Sequence, residues 1–246
     1  MFVIVTISAV IGFAGLCYFF VPWFYGRISR ALLAHRVRKL GALVLTFDDG
    51  PGSRLTRPIL DLLAEHNAKA TFFVTGRKLA GREYILREAA DRGHEIGLHG
   101  YHHLNHWKVS PWRAINDIVQ IKKATDAVLG RKDGVYAFRP PFGNLNLLSM
   151  IYLLAKRIPV IYWTRDFGDT RRFDAWLAAN KDGKSNEPEP ILPIETSGDV
   201  ILAHDFDRTE TAVDGYLLAC VKATLDLAKK NNLRILTVSQ LLNVKD

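Results

Sequence analysis

Short apolar segments alternate with longer amphipathic segments from residue 40 to the end of the chain. Residues 43–47 form an apolar run typical of a buried strand, and residues 55–66 place Leu55, Ile59 and Leu62 on one helical face. The other predicted strands cover residues 70–75, 95–99, 135–139, 160–164, 200–204 and 234–238. The other predicted helices cover residues 83–92, 110–129, 147–157 and 211–230. This order predicts an α/β fold, a parallel sheet or barrel with reactive groups at the carboxyl ends of its strands.

The N-terminal segment departs from this pattern, because residues 2–25 contain no charged side chain. As a helix this segment would be about 36 Å long, enough to cross the roughly 30 Å core of a bilayer. Trp23, Phe24 and Tyr25 lie where an interfacial aromatic belt is expected. A cleavable signal peptide is the alternative, but the segment lacks a basic start and its apolar run is too long. We therefore predict one retained transmembrane helix over residues 1–26.

Basic residues follow the apolar segment and contribute to a net charge of +8. They are Arg27, Arg30, Arg36, Arg38 and Lys39. This predicted juxtamembrane segment, residues 27–40, favours a membrane surface over nucleic acid as the partner. The positive-inside rule then places the rest of the chain on the cytoplasmic side of a cell membrane. Residues 28–40 are also amphipathic, so an orientation along the membrane face is an alternative for them.

Length and composition indicate one globular domain after these segments. Residues 41–246 suffice for a single α/β domain, and the 24% charged and 48% hydrophobic residues of the chain argue against disorder. Cys17 and Cys220 lie far apart and imply no disulfide framework. Residues 180–197 are irregular and rich in Asn, Glu, Pro and Ser, and we interpret them as a surface loop near the functional site.

Two adjacent carboxylates, Asp48 and Asp49, follow the first predicted strand and precede a Gly-Pro turn. A strand ending here would deliver both side chains to the mouth of a pocket. Because like charges repel, neighbouring carboxylates in such a place usually share a cation or a proton. A solvated turn is an equally good interpretation of these residues alone.

Residues 94–103 contain four of the eight histidines of the chain. His99 and His103 are four residues apart, so one helical turn would place them on the same side. With Asp48 or Asp49 they would form a set of two histidines and one carboxylate that leaves positions open for water and substrate. A histidine-rich surface turn is the commoner origin of this spacing. For the remaining histidines we expect a structural hydrogen bond at His94 and solvated positions at His102 and His106.

Polar groups also end three later strands. Arg139 opens a rigid Arg-Pro-Pro-Phe-Gly turn and is suited to hold a carboxylate, although a structural salt bridge is the simpler explanation of this residue alone. Residues 163–169 end another apolar strand with acids, and His204 is followed by Asp205. A carboxylate beside His204 would raise its pKa and fix its tautomer, which suits a general acid. Together these strand ends carry the groups of a metal-dependent hydrolase.

Five segments resemble, in order and spacing, the five motifs of the polysaccharide deacetylases, the NodB-homology domains of carbohydrate esterase family four. The segments are residues 46–51, 99–103, 139–143, 163–169 and 202–204. The resemblance covers roughly residues 41–242, so residues 41–246 are expected to form the catalytic domain. It implies a distorted (β/α) barrel after the N-terminal transmembrane helix, and metal-dependent removal of N-acetyl, or sometimes O-acetyl, groups from sugars.

The resemblance implies a metal centre with a base beside it. Asp49, His99 and His103 match the metal ligands of the family, and the expected cofactor is a divalent metal, Zn²⁺ in particular. Asp48 matches the catalytic base, and Arg139 matches the residue that holds this base. The adjacent carboxylates would then differ in role, one as a ligand and the other as a base.

The resemblance also implies an acid and a substrate pocket. His204 matches the general acid, and Asp169 matches the residue that orients it. The predicted substrate-binding residues are Phe142, Leu202 and Trp163. Leu202 would line the pocket for the acetyl methyl group, and a backbone N–H near Phe142 would stabilise the tetrahedral oxyanion.

Three positions depart from the family pattern. Gly100 stands where the family usually has Ser or Thr, so a hydroxyl that would stabilise residues 99–103, the histidine loop, is missing. We therefore expect this loop to be looser. Phe142 replaces the usual Tyr, which is tolerable if the main chain carries the function. Thr170 stands where a Trp commonly walls the acetyl pocket, which bears on the acyl group and the substrate shape.

The expected partners are an N-acetylated carbohydrate and the membrane, and not nucleic acid. If the domain faces the cytoplasm, the expected substrate is a polyprenyl-phosphate-linked sugar or glycan precursor at the inner leaflet. If it faces outward, peptidoglycan or an exopolysaccharide is expected. A non-catalytic sugar-binding relative is the alternative without activity, although every predicted catalytic and ligand position carries a competent residue.

Overall fold

A parallel sheet with surrounding helices forms the framework of the protein. The computed structural model describes residues 2–169, 198–209 and 211–244. Within them the strands are β1 (Ala42–Asp48), β2 (Thr71–Val74), β3 (Glu95–Leu98), β4 (Arg165–Asp166), β5 (Val200–His204) and β6 (Arg234–Ile235). The helices are α1 (Phe2–Lys39), α2 (Thr56–Glu65), α3 (Gly76–Leu79), α4 (Glu83–Asp91), α5 (Pro111–Leu129), α6 (Leu147–Ala155), α7 (Ala212–Lys230) and α8 (Val238–Asn243). The predicted α/β fold with a parallel sheet is confirmed.

The buried strand β1 lies at the centre of the sheet. The strand order is β3-β2-β1-β5-β4, and β6 pairs with the first residues of β1. All seven residues of β1 are buried, as expected for an apolar run that has neighbours on both edges. The register pairs Asp48 with Phe73 of β2 and with His204 of β5. Two neighbouring strands therefore end with Asp48 and His204 side by side.

Two predicted strands do not form between β3 and β4. These segments, residues 135–139 and 160–164, make only isolated β-bridges. Phe138 bridges to the end of β3 on one side and to Val160 on the other. Pro140 comes two residues after this bridge, and a proline has no N–H with which to extend a ladder. This part of the strand prediction is corrected, and the sheet is irregular on this side.

Helix α5 begins and ends where its sequence predicts. Ser110 caps it by accepting a hydrogen bond from the Arg113 N–H at 3.4 Å, and Pro111 occupies the first turn. Gly130 ends the helix with a φ of 64°, a left-handed conformation that glycine adopts at little cost. The helix is thereby positioned to bury Asp117 beneath the loop that follows β3.

Helix α1 packs its C-terminal half against the sheet domain. Leu33 and Val37 are buried in the common core. Arg36 donates a hydrogen bond from Nε to the carbonyl of Leu241 at 2.8 Å and another from Nη2 to the carbonyl of Val244 at 2.6 Å. The last turns of the helix are thus part of the globular structure.

One continuous helix of 38 residues covers most of both predicted N-terminal segments, residues 1–26 and 27–40. Within the described residues, no helix has both the length and the apolar character that crossing a membrane requires. The predicted transmembrane helix is therefore not supported by the structure, and the division of the chain at residue 26 stays a prediction. The predicted loop over residues 180–197 and the departure at Thr170 lie outside the described residues.

Candidate active site

The carboxyl edge of the sheet gathers residues from distant parts of the sequence. Asp48 ends β1 and Asp49 follows it, His99 follows β3, and His204 ends β5. Because all these strands run in parallel, their carboxyl ends meet at one edge. The sheet topology thus accounts for the proximity of these side chains.

Asp48 is buried and pairs with the fully buried guanidinium of Arg139. Arg139 Nη1 lies 2.8 Å from Asp48 Oδ1. The same nitrogen donates a hydrogen bond to Thr46 Oγ1 at 2.7 Å. The guanidinium lies 4.2 Å from the ring centroid of Phe73, which covers it. Burial lowers the pKa of Arg139, and the charge of Asp48 opposes that change. The pair fixes the Asp48 carboxylate and balances its charge.

Asp49, His99 and His103 form a cluster with the donor set of a metal site. Asp49 Oδ1 lies 3.3 Å from His103 Nε2 and 3.6 Å from His99 Nε2. One ligand atom from each residue lies within 4.8 Å of the others. Thr75 Oγ1 donates a hydrogen bond to the same Asp49 oxygen at 3.4 Å. Two imidazole nitrogens and one carboxylate oxygen fit a divalent metal such as Zn²⁺.

The backbone of Arg139 sets the tautomer of His99. His99 Nδ1 lies 2.8 Å from the Arg139 carbonyl oxygen, which can only accept a hydrogen bond. In the neutral ring Nδ1 therefore carries the proton, and the lone pair of Nε2 faces the carboxylates of Asp48 and Asp49, each 3.6 Å away. This arrangement resembles that of metal-binding histidines, whose second ring nitrogen usually donates to a carbonyl or a carboxylate.

Three predicted site residues adopt a left-handed backbone although none is glycine. The φ angles are 69° at Asp49, 57° at His103 and 58° at Phe142. This conformation is uncommon outside glycine and costs of the order of 1–3 kcal/mol per residue. The surrounding structure therefore holds these side chains against a local preference, which is typical of functional sites.

A buried carboxylate on α5 holds the loop that carries His103. Asp117 accepts hydrogen bonds from the backbone N–H groups of Tyr101 and His102, both at 2.9 Å, and from His102 Nδ1 at 2.7 Å. A Cβ at Gly100, where φ is 80°, would lie only 2.6 Å from Asp117 Oδ2. Glycine at this departure from the family pattern thus makes room for Asp117. The His102 side chain is 33% exposed while it hydrogen-bonds to Asp117, so the solvated position expected for it is confirmed only in part.

His106 and His94 are both structural. His106 is fully buried, so the expectation of a solvated position is wrong, and neither ring nitrogen has a hydrogen-bond partner among the described residues. Its ring stacks on Phe138 with centroids 6.0 Å apart, and burial lowers the pKa of His106 to about 4. His94 accepts a hydrogen bond at Nδ1 from the Ala70 N–H at 3.2 Å, which confirms the predicted structural role.

His204 lies against the buried carboxylate of Asp169. Its Nδ1 is 3.0 Å from Asp169 Oδ1, and its backbone N–H donates to Oδ2 at 3.1 Å. Burial disfavours the charged ring, but the hydrogen bond and charge of Asp169 outweigh it and raise the pKa of His204 to about 9. Arg208 Nη2 binds the same carboxylate at 2.7 Å, a contact that no sequence signal indicated. Nε2 of His204 remains for a proton transfer.

Asp205 follows His204 in sequence but points elsewhere, because neighbouring side chains at a strand end face opposite sides. Its Oδ2 accepts a hydrogen bond from Thr56 Oγ1, and its backbone N–H donates to the Asp48 carbonyl at 3.2 Å. A Cβ at Gly50 would collide with this carboxylate. Burial raises the pKa of Asp205 to about 7. Asp205 therefore packs under the turn after β1, a role that sequence reasoning missed.

The predicted substrate-binding residues lie around these groups. Phe142 is 60% exposed, and its ring centroid is 4.6 Å from that of His103. Leu202 is buried two residues before His204 on β5. Trp163 is half-buried, with its ring centroid 5.9 Å from the Arg139 guanidinium carbon. The placement fits contacts with a substrate, and the roles stay predictions.

Comparison with known proteins identifies the family. A profile described as polysaccharide deacetylase matches residues 36–156. A peptidoglycan-N-acetylglucosamine deacetylase of Bacillus cereus is 32% identical over 209 residues, covering 82% of this chain and 89% of that protein. The peptidoglycan-N-acetylglucosamine deacetylase PgdA of Listeria monocytogenes is 30% identical over 205 residues, but the chain covers only 39% of its length. The chain belongs to the polysaccharide deacetylase family.

A solved structure shares the fold. The crystal structure of the Bc1960 peptidoglycan N-acetylglucosamine deacetylase, in complex with 4-naphthalen-1-yl-N-oxidanyl-benzamide, is 27% identical. It matches with a TM-score of 0.69 over 84% of this chain and 90% of that chain. The predicted family is confirmed.

Replacing Asp117 with alanine should loosen the loop that carries His103, because donors of Tyr101 and His102 lose their acceptor. We expect the affinity for Zn²⁺ to fall about 10- to 100-fold, the range found for groups that support metal ligands. Calorimetric titration of metal-free protein with Zn²⁺ measures the change. Asp133→Ala removes an exposed carboxylate and is the control. An affinity unchanged in Asp117→Ala would contradict the positioning role.

Replacing Asp169 with asparagine should move the alkaline limb of the pH–rate profile to lower pH. His204 would act while protonated, so activity is lost as the pH rises through its pKa, which Asp169 raises against the effect of burial. Without this carboxylate we expect a downward shift of about one unit or more. Measurement of kcat/KM against pH tests it, with Asp226→Asn on the far part of α7 as the control. A limb that stays in place would exclude His204 as the acid.

Proposed function

We propose that the chain is a metal-dependent hydrolase that removes an N-acetyl or related acyl group from an amino sugar. The observation that carries the proposal is the pairing of two proton-transfer groups on adjacent strands. Asp48, held by Arg139, lies in register with His204, held by Asp169. Amide hydrolysis requires a base for the attacking water and an acid for the departing amine, and this pair is suited to supply them.

Asp49, His99 and His103 would hold the divalent metal, with Zn²⁺ as the expected ion. Their donor set fits it, and the His99 tautomer leaves Nε2 free to bind. Such an ion, when bound, supplies Lewis-acid polarisation of the acyl carbonyl and activation of water near neutral pH.

Asp48 would take the proton of the attacking water as the new C–O bond forms. Arg139 keeps the carboxylate in place through the 2.8 Å contact, so the base is positioned before substrate arrives. A backbone N–H near Phe142 would donate a hydrogen bond to the developing oxyanion. The left-handed conformation of Phe142 supports a functional role for this turn.

His204 would complete the reaction by protonating the sugar nitrogen as the C–N bond breaks. Because Nδ1 faces Asp169, the proton would leave from Nε2. The products are acetate and a free amino sugar. The proton taken up by Asp48 balances the one that His204 gives away, and exchange with solvent restores both groups.

The substrate proposed first is a lipid-linked amino sugar or glycan precursor. Its support is the uncharged stretch of residues 2–25 followed by a basic segment, which together favour a single-pass membrane anchor with the catalytic domain on the cytoplasmic side. This localisation rests on the sequence alone. The second candidate is the N-acetylglucosamine of peptidoglycan, reached from the outside, and the named activities of the relatives favour it.

A non-catalytic sugar-binding role is less well supported. The base, acid and ligand positions all carry side chains able to perform the chemistry. This proposal is supported by three separate contacts, Asp48 with Arg139, His204 with Asp169 and Asp49 with His103. Sugar binding alone would not require a buried Asp48–Arg139 pair beside the three candidate metal ligands.

Asp48→Asn should remove activity while the metal stays bound, since Asp48 is proposed as the base and not as a ligand. We expect kcat/KM to fall about 10²- to 10⁴-fold, the usual contribution of a general base. Acetate release from N-acetylglucosamine oligomers measures activity, and elemental analysis measures the metal. The matched variant Asp49→Asn should lose both.

Two results would contradict this proposal. If Asp48→Asn keeps the circular dichroism spectrum of the folded wild-type protein and still loses metal as Asp49→Asn does, the two carboxylates do not divide the roles of base and ligand. If the metal-loaded protein releases no acyl group from any N-acetyl sugar tested, the chain is not a deacetylase of this class.

A reporter fused after Asp246 tests the proposed side of the membrane. We expect a fluorescent protein to be bright and alkaline phosphatase to be inactive at this position, because the basic residues favour the cytoplasm. An active phosphatase fusion would rule out an inner-leaflet substrate. A fusion recovered entirely in the soluble fraction would rule out the anchor itself.

A further inference from the structure

Helix α1 runs beside the candidate active site. Phe19 contacts Trp107 edge to face, with ring centroids 5.9 Å apart, and Trp107 belongs to the segment that follows the histidine loop. Three turns further along, the guanidinium of Arg30 lies over two rings of the segment before β4. It is 4.4 Å from the ring centroid of Tyr162 and 5.2 Å from that of Trp163. The helix thus brings a cation to the edge of the site.

Arg30 is half-buried, and no carboxylate among the described residues pairs with it. Its contacts are aromatic faces, and the charged neighbour is another cation, Arg27. Burial lowers the pKa of Arg30, Tyr162 opposes this, and Arg27 lowers it further. Arg208, by contrast, binds Asp169 directly. Partial burial of an unpaired charge is unfavourable, so a site of this kind favours an anion from outside the chain.

The position of Arg30 connects it to the proposed reaction. The guanidinium of Arg139, which holds the base, lies 5.9 Å from the centroid of the same Trp163 ring. A Cβ at Gly143 would lie 3.0 Å from Arg30 Nη2, and Gly143 directly follows Phe142. The anion would therefore sit beside the turn whose backbone is proposed to contact the oxyanion, close enough to be a substituent of the same sugar.

The same helix exposes an apolar surface on the N-terminal side of Arg30. Phe20, Trp23 and Phe24 are each about half exposed, and the rings of Phe20 and Phe24 stack with centroids 6.1 Å apart. An unpaired guanidinium with hydrocarbon-like surface on one side and a sugar site on the other matches an amphiphilic anion. The anion would lie between a sugar and a hydrocarbon chain.

We propose that Arg30 binds the phosphate that joins the amino sugar to a lipid. The planar guanidinium offers two parallel N–H donors that match phosphate oxygens, and Trp163 and Tyr162 hold it in place. The sugar then extends toward Asp48, and the hydrocarbon chain follows the exposed aromatic side chains of α1. This inference rests on the proposed deacetylase function and names its substrate class, a long-chain alcohol joined to an N-acetylated sugar through phosphate.

The test compares three probes on the full chain in detergent micelles. They are farnesyl N-acetylglucosaminyl phosphate, farnesyl N-acetylglucosaminide, which lacks the phosphate, and methyl N-acetylglucosaminyl phosphate, which lacks the lipid. Arg30→Gln is the test variant and Arg27→Gln is the matched control one turn away. KM and kcat are measured with each probe, and binding is measured separately by quenching of tryptophan fluorescence.

We expect Arg30→Gln to raise KM and weaken binding of the farnesyl phosphate about tenfold or more, as loss of a charge-assisted contact does. The neutral farnesyl probe should change less than about twofold. Arg30→Lys should restore part of the loss, and Arg27→Gln should have little effect. The wild-type protein should bind the methyl phosphate more weakly than the farnesyl phosphate.

An equal effect of Arg30→Gln on the phosphate and neutral probes, or no effect on either, would overturn the proposal. Equal binding of the methyl and farnesyl phosphates would overturn its lipid part. Turnover without dependence on Arg30 would count against this proposal alone. Binding that depends on Arg30 without any turnover would support this contact while refuting the hydrolase.

Discussion

The buried contact between Asp48 and Arg139 is the interaction on which the site depends. A buried charge that loses its partner destabilises a protein by about 3–5 kcal/mol, so neither residue is readily replaced alone. Arg139 also acts through its backbone, because its carbonyl accepts the Nδ1 proton of His99. One residue therefore positions the proposed base with its side chain and a proposed metal ligand with its main chain. Packing of the core and geometry of the site are coupled at this point.

The two proposed proton-transfer groups have partners of opposite charge. Asp48 has a cation, Arg139, beside it, and His204 has an anion, Asp169. The carboxylate of Asp169 favours the imidazolium of His204, the form that donates a proton. The parallel register of β1 and β5 sets the two pairs next to each other. The proposed base and the proposed acid thereby lie on adjacent strands, each beside its own partner residue.

Motif order and strand periodicity predicted the parallel sheet, since each motif follows an apolar segment with a readable period. They did not predict the supporting contacts of Asp117 and Asp205. The partners of both residues lie far away in sequence, and neither residue belongs to a recognisable motif. His106 was misjudged because its burial depends on the packing of Phe138, which local sequence does not encode. The strand over residues 135–139 was overestimated, since apolar content is visible in sequence whereas ladder partners are not.

The continuity of α1 has a geometric consequence for everything attached to its two ends. The helix contacts the domain closely at Gly26, where a Cβ would lie 3.1 Å from Tyr162 Cζ. This contact fixes the rotation of the helix about its own axis. Since each residue turns a helix by about 100°, one extra residue between Phe24 and Arg30 would swing the aromatic side chains away from the active-site edge. Seven extra residues would return the aromatic side chains to within about 20° of their present direction. They would also move these side chains about 10 Å further from Arg30 along the helix axis. Helical phase, and not sequence distance, relates the N-terminal part of the chain to the catalytic edge.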